Sequence, residues 1–188
     1  MLASTRLTDD VVELRPPRPS DVDEIHAAVR ASLDELIPWM SWSHADYSPV
    51  ETAEWVRTAQ RLWEQDVEYP FVVRAVADGA LIGSCGLNDL DRANRRGNLG
   101  YWLASSATGR GYASRAARLA AGFGFGVVGL DRIEILAAVG NERSQAVARR
   151  VGAKEEGVLR RRLRVHAQTY DAVLFSIVRG DELAEPSS

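Results

Sequence analysis

LGYWLASSATGRGYA, residues Leu99–Ala113, decides the fold of this chain. Its first half is a short apolar strand. Its second half is a loop carrying Gly109 and Gly111, and a long apolar-faced segment follows directly. Glycines at such a junction let the backbone N–H groups of a helix's first turn converge on an anion, and the helix dipole adds to the attraction. A strand that feeds this kind of turn predicts a place to hold a phosphorylated cofactor.

Downstream, Tyr112–Val127 reads as a helix despite Gly122, Gly124 and Gly126, which imply close packing or early fraying. Arg132–Val139 alternates as a strand, and Ser144–Val151 is a short helix stopped by Gly152. Strands near Glu155–Arg162 and Thr169–Val178 follow, then a loose acidic tail, Asp181–Ser188.

Upstream, Asp78-Gly79 between Phe71–Ala77 and Ala80–Leu87 signals a hairpin, and Asp89–Arg96 connects it to a strand at Asn98–Ala104. Ser48-Pro49-Val50-Glu51 is a capping box opening a helix to about Gln65, with Ala53, Val56, Ala59 and Trp63 on its buried side. Pro38 breaks Leu33–Trp42. Ser20, with Asp21, Asp23 and Glu24, opens an earlier helix, and Val11–Arg15 is a first strand ended by Pro16.

This order predicts an α/β (α+β) architecture, residues 1–180 as one domain, with a mixed, mostly antiparallel sheet of about seven strands flanked by helices. The strand before the glycine turn and Arg132–Val139 are joined by a helical crossover, so they run parallel. If they splay at one end, an amide-rich ligand fills the gap like an added strand.

Composition sets outer bounds. A chain of 188 residues, 46% hydrophobic and 26% charged, is long enough to bury a real core. A formal net charge of −3 argues against a general binder of nucleic acid or membrane surfaces. Cys85, the only cysteine, sits in an apolar run and reads as a buried hydrophobe, not a nucleophile. With no partner for an intramolecular disulfide, the chain suits a reducing compartment. MLASTRLTDD lacks the apolar region of a signal peptide, and Leu119–Leu130 is too short for a membrane span. The expected location is cytoplasmic. His26, His44 and His166 lack metal-ligand spacing, so no metal is expected; a surface or capping role suits each.

Further motifs follow the glycine turn at regular distance: Asn141-Glu142-Arg143-Ser144, then Glu156-Gly157-Val158-Leu159-Arg160, then Tyr170-Asp171. With Leu14-Arg15-Pro16, Leu36 to Trp42, Ile82-Gly83 to Asn88 and Gly100-Tyr101-Trp102-Leu103, the chain resembles the GNAT superfamily of acyl-CoA-dependent N-acetyltransferases nearly end to end. Within it, the chain is most similar to the Rim-type ribosomal-protein N-terminal acetyltransferases. A G-x-G alone says little; these pieces in this order say much more.

The resemblance implies acetyl-CoA as cosubstrate, with Gly109, Arg110, Gly111, Tyr112, Ala113 and Ser114 lining its phosphates. It implies main-chain partners for pantetheine at Leu103 and Ala104, the Asn141 side-chain amide on the pantetheine arm, and Ser144 near the sulfur. A homodimer is left open. Three departures stand out. Thr108 occupies a position where the family signature has Gln or Arg, Gly97-Asn98-Leu99 replaces a stretch where many relatives carry a glutamate, and Leu163 aligns with a glutamate of some Rim-type relatives.

These departures bear on the chemistry. An α-amine, with a pKa near ~7.7–8.0, is already partly neutral at pH 7, whereas a lysine amine near ~10.4 needs stronger help. Missing carboxylates therefore favour an α-amine, with water held by Asn88, Asn98 or backbone carbonyls as the weak base. Ser144 is the candidate to protonate the thiolate, or else an N-cap or first-turn serine. Tyr101 points into the substrate cleft or packs as a strand aromatic. Trp39 and Trp42 wall the acceptor pocket or pack in the core. Arg160-Arg161-Arg162 and Arg164 meet an acidic substrate or the coenzyme 3′-phosphate, or form a solvated face. The expected reaction is direct acetyl transfer in a ternary complex to a protein N-terminal amine. A small amine as acceptor, or an acyl-CoA sensor without turnover, are the alternatives.

Overall fold

The computed structural model of the chain describes residues 5–181 and 183. Its strands are β1 (Leu7–Thr8), β2 (Val12–Arg15), β3 (Tyr69–Ala75), β4 (Leu81–Asp91), β5 (Arg96–Leu103), β6 (Arg132–Ala138), β7 (Lys154–Val165) and β8 (Gln168–Val178). They form one sheet in the order β1-β2-β3-β4-β5-β6-β8-β7. Every neighbouring pair is antiparallel except β5 and β6, which run parallel as the crossover requires. The eighth strand, beyond the seven expected, is β1. Two residues leave no periodicity to read, and β1 is held instead by Thr8 Oγ1 donating to the Val12 carbonyl (3.0 Å).

Helices cover both faces. α1 (Val22–Arg30) and α3 (Pro49–Glu64) share a buried cluster with Val72 and Leu81, and Trp102 packs against it. The alternate residues Phe71, Val73 and Leu99 face the other way, into a cluster with α4 (Tyr112–Phe123). α2 (Leu33–Leu36) is the single turn that Pro38 permits, and α5 (Glu142–Val151) follows β6. Ser48 caps α3 as anticipated: Glu51 N–H donates to its Oγ (3.4 Å), and the Glu51 carboxylate accepts from Ser48 N–H (2.9 Å).

Several boundaries differ from expectation. The helix expected at Ser20 begins at Val22 after a 3₁₀ turn, Pro19–Asp21; Asp21 stands at its N-cap position, but its side chain caps no N–H of the helix. Its carboxylate is drawn instead into a bidentate pair with Arg15. β3 starts two residues before Phe71, since Pro70 masks the strand signal without breaking the pairing Tyr69↔Leu87 and Pro70↔Gly86. α5 begins at Glu142, ahead of Ser144, because Asn141 is its N-cap. The acidic tail falls outside the described residues apart from two positions. One of them, Asp181, is not loose: its carboxylate accepts from Lys154 Nζ (2.8 Å) and Val178 N–H (3.1 Å).

α4 lies close on the sheet because its inward face is alanine: Ala116, Ala117, Ala120 and Ala121 are each fully buried. It stops at Phe123 and passes into a π turn, Gly124–Val128. Gly124 explains the change. A Cβ there would stand 2.9 Å from Ile133 Cδ1 and 3.0 Å from Leu87 Cδ1, so the backbone itself fills the gap. Gly122 and Gly126 face open space, so close packing explains only the middle glycine.

Candidate active site

The ladder between β5 and β6 is three pairs long: Arg96↔Arg132, Gly97↔Ile133 and Asn98↔Glu134. Beyond them the strands part. β5 stays paired with β4 as far as Leu103↔Gly83, while β6 stays with β8 as far as Ala138↔Ala172. A wedge opens between two strands whose outer neighbours hold them apart.

At the wide end lies the glycine turn. Gly109 (φ 78°) and Gly111 (φ 74°) both adopt the left-handed conformation, and Gly111 is the N-cap of α4. No side chain caps this helix, so its first N–H groups, at Tyr112, Ala113 and Ser114, are left to an outside acceptor. Nothing lies within 4 Å of a Cβ built on either glycine. Thr108 Oγ1 donates to the Ser105 carbonyl (2.9 Å), which tightens the loop, and Arg110 is exposed beside it. The Ser114 side chain is buried and its Oγ has no partner, so it is the Ser114 main-chain N–H that belongs with the uncapped first turn. Leu103 ends β5, and Ala104 N–H is spent on the Ile82 carbonyl (2.9 Å).

Midway along the wedge, β5 meets α5. Asn141 Oδ1 accepts from Ser144 N–H (3.1 Å), which leaves its Nδ2 as the donor for a ligand. Ser144 is therefore not an N-cap; it stands three residues into the capped end. The Tyr101 hydroxyl donates to the Ser144 carbonyl (2.9 Å) and lies 3.2 Å from Ser144 Oγ. Burial pushes the Tyr101 phenol well above its ordinary range, so it stays protonated. Tyr101 thus packs as a strand aromatic and also engages the site.

On the α1 and α3 side the wedge opens into a cavity of about 400 Å³ bordered by Trp39, Trp42, Tyr47, Trp55, Tyr101 and Trp102. Trp42 packs against Tyr47 (5.7 Å) and Trp102 (5.9 Å), and Trp39 against Tyr170 (6.2 Å). Both sequence-predicted tryptophans therefore line this space. Asn88 and Asn98 also line it, Asn98 Nδ2 donating to Asn88 Oδ1 (2.7 Å). Leu163 adds apolar wall. Cys85 borders it, but burial pushes its thiol up to about 12, which keeps it unreactive.

One cavity residue escaped sequence reasoning. Glu68 is the only residue of formal charge among the described residues lining the cavity. Burial raises its carboxyl above the usual range, against the pull of a hydrogen bond from Asp89 N–H. No motif or spacing marks it; only the register of β3 brings it here.

The remaining candidates lie elsewhere. His44 pairs with Glu51 (2.7 Å) and His166 Nε2 meets the Ile37 carbonyl (3.1 Å), but His26 is neither a cap nor free at the surface, since its ring stacks on Tyr47 (6.0 Å). Arg160, Arg161, Arg162 and Arg164 are exposed on β7, where the register slips between Leu159 and Leu163. Among the described residues no group of three His, Cys, Asp or Glu side chains could hold a metal, and no helix is long and apolar enough to cross a membrane.

Residues 12–154 match the acetyltransferase (GNAT) domain family. A Bacillus subtilis (strain 168) protein, YdaF, provisionally named a ribosomal N-acetyltransferase, is 40% identical over 102 residues. That match spans 54% of this chain and 56% of YdaF, about half the length of each. The spermidine N(1)-acetyltransferase of Escherichia coli (strain K12) is 30% identical over 118 residues, 63% of this chain and 62% of that enzyme. The structure of Mycobacterium smegmatis RimJ, in complex with CoA-disulfide, superposes with a TM-score of 0.79 at 30% identity, covering 93% of this chain and 86% of RimJ.

Proposed function

Because this chain belongs to the GNAT acetyltransferase family and is an N-acetyltransferase, we propose that it moves an acetyl group from acetyl-CoA to the α-amine of a protein N-terminus. The cavity carries the choice of acceptor. It is apolar and aromatic, with a single carboxylate among its described lining residues. One ammonium finds a partner there. A polyamine brings several, and each buried charge without a partner is costly.

The residues fit coenzyme A on independent grounds. The uncapped first turn of α4, with open space over Gly109 and Gly111, suits a diphosphate. The β6-facing edge of β5 beyond Asn98 is free to pair with an amide-bearing arm, and Asn141 Nδ2 faces the wedge as a spare donor. Acetyl-CoA supplies the activated thioester. The rest is the protein's work. Main-chain N–H groups of β5 near Leu103 polarise the thioester carbonyl. Ser144 Oγ, at hydrogen-bond distance from Tyr101, donates the proton that the departing sulfur needs. Tyr101 holds Ser144 in place through its carbonyl.

Two measurements test this. Thiol release from acetyl-CoA is expected with peptides bearing a free N-terminus and not with the same peptides N-formylated. Faster release with spermidine than with every peptide would favour the small-amine reading suggested by the spermidine-acetylating relative; coenzyme binding without turnover across the panel would favour a sensor. Ser144→Ala is expected to lower kcat by roughly 100-fold, with coenzyme A affinity by calorimetry unchanged. An unaltered kcat would leave Ser144 as a helix residue only.

A further inference from the structure

We propose that Glu68 accepts the proton from the acceptor amine, through one water held against Asn98, at the point where β5 and β6 part. The proposal rests on the acetyl-transfer reading of the cavity and adds to it the base that the sequence alone does not reveal.

Register carries the argument. Asn88 stands directly opposite Asn98, and Asn98 opposite Glu134, the last pair before the strands separate. Tyr69 opposite Leu87 puts Glu68 beside Asn88 in the same row. Residues opposite one another share a face of the sheet, so Glu68, Asn88 and Asn98 form a polar line across the cavity floor. Two strand spacings separate the backbones of Glu68 and Asn98 by about 10 Å. Asn88 stands between the two, so the water that links them lies over its side chain, on the cavity side of the row.

Both ends of this line are prepared. Asn98 spends its Nδ2 on Asn88, and its Oδ1 is buried without a partner. A buried acceptor left open at the splay calls for a donor, and a water or an amine N–H provides one. At the other end the backbone N–H of Asp89 attracts the Glu68 carboxylate, from a residue held at φ 49° within the register break between Asn88 and Asp91. A left-handed aspartate is a strained way to aim an N–H.

The surroundings keep the carboxyl basic. Burial acts first and outweighs the pull of the Asp89 backbone N–H, and the charge of Asp89 on β4 adds to it, so the pKa is raised above the ordinary carboxylate value. The other lining side chains nearby, Trp55, Thr58 and Leu62 on α3, with Asn88 and Asn98, carry no charge. No cation competes for Glu68 from within the cavity.

The step balances. An ammonium gives one proton to the water, which passes one to Glu68. The freed nitrogen lone pair forms the C–N bond at the thioester carbon. On collapse the C–S bond breaks, sulfur leaves with the electron pair, and it is protonated through Ser144. The nitrogen's second proton restores Ser144, and Glu68 releases its proton to solvent.

The test is kcat/KM against pH, from 5.5 to 9, for the full chain and Glu68→Gln with acetyl-CoA and a free N-terminal peptide. Gln keeps an oxygen for the Asp89 N–H, so the fold is preserved. At pH 7 a fall of about 100-fold is expected, with coenzyme A affinity within twofold. The gap narrows above about pH 8, where the amine loses its proton unaided. If Gln prevents folding, Glu68→Asp is expected to retain activity with a displaced acid limb. A variant with the wild-type rate and profile overturns the proposal alone. A wild-type chain inactive on every amine overturns the acetyl-transfer reading and the proposal with it.

Discussion

Asp21→Ala is expected to lower the melting temperature by roughly 6–12 °C at neutral pH, from a loss of about 3 kcal/mol. Asp21 is buried, and its two carboxylate oxygens accept from Arg15 Nη1 (2.7 Å) and Nη2 (2.6 Å). Arg18 N–H (2.7 Å) and Arg74 Nη2 (3.4 Å) complete its shell. Removing the anion leaves Arg15, itself almost buried, without its partner. Such an uncompensated charge costs more than the pair contributes, so Arg15→Met with Asp21→Leu is expected to lose less than Asp21→Ala alone.

The same pair has a pH signature. Burial alone would raise the Asp21 carboxyl, but the hydrogen bonds from Arg15 and Arg18 and the charges of Arg15 and Arg74 outweigh it, so it lies below 3.8. A depressed carboxyl contributes stability that is complete above the unfolded value, about 3.9, and is lost as pH falls through the folded one. Denaturant midpoints of wild type and Asp21→Ala should therefore differ most at pH 7 and converge as pH falls below the ordinary carboxylate range. A constant difference would show that Asp21 acts through packing and not through its charge. The consequence reaches the site, because the pair ties the end of β2 to the start of α1, and α1 supplies Ile25 and Val29 to the cavity wall.

Gly111→Val is expected to raise the Kd for coenzyme A at least ~10-fold, because a branched side chain over the turn blocks the close backbone approach that a diphosphate needs. Gly111 sits at φ 74°, a conformation that a β-branched residue resists. In the free protein a Cβ there meets nothing within 4 Å, so the new side chain would project into the space left over the turn. Calorimetry with coenzyme A measures the loss, and thermal melting confirms that the fold survives. Affinity within twofold of wild type would remove this turn as the diphosphate site.

Several elements were legible because their causes are local. The Ser48 capping box, the Asp78-Gly79 hairpin and the Gly152 stop each depend on residues within a few positions of one another. The parallel pair was legible for a different reason: a helical crossover leaves few other topologies. Misplaced boundaries fall where one residue serves two demands. Asp21 has the chemistry of a helix start but is held by Arg15, and Asn141 opens the Asn141–Ser144 motif while also capping α5.

The site divides along the same line. Gly109, Gly111, Asn141 and Ser144 stood out because backbone-approach glycines and a recurrent short motif survive in linear order. Tyr101 against Ser144 joins residues 43 positions apart, and nothing in either segment announces the contact. Glu68 is farther from any motif; it shares a row with Asn98 only because β3, β4 and β5 are aligned.

By itself the sequence determined the crossover, the glycine turn and the chemistry that turn can hold, since short-range sterics and backbone hydrogen bonding set these within a few residues. Tertiary structure alone decided which carboxylate enters the acceptor cavity, which acceptor is left unpaired beside it, and where the two parallel strands separate. Those outcomes depend on strand register, and register is settled by the packing of the whole sheet against its helices.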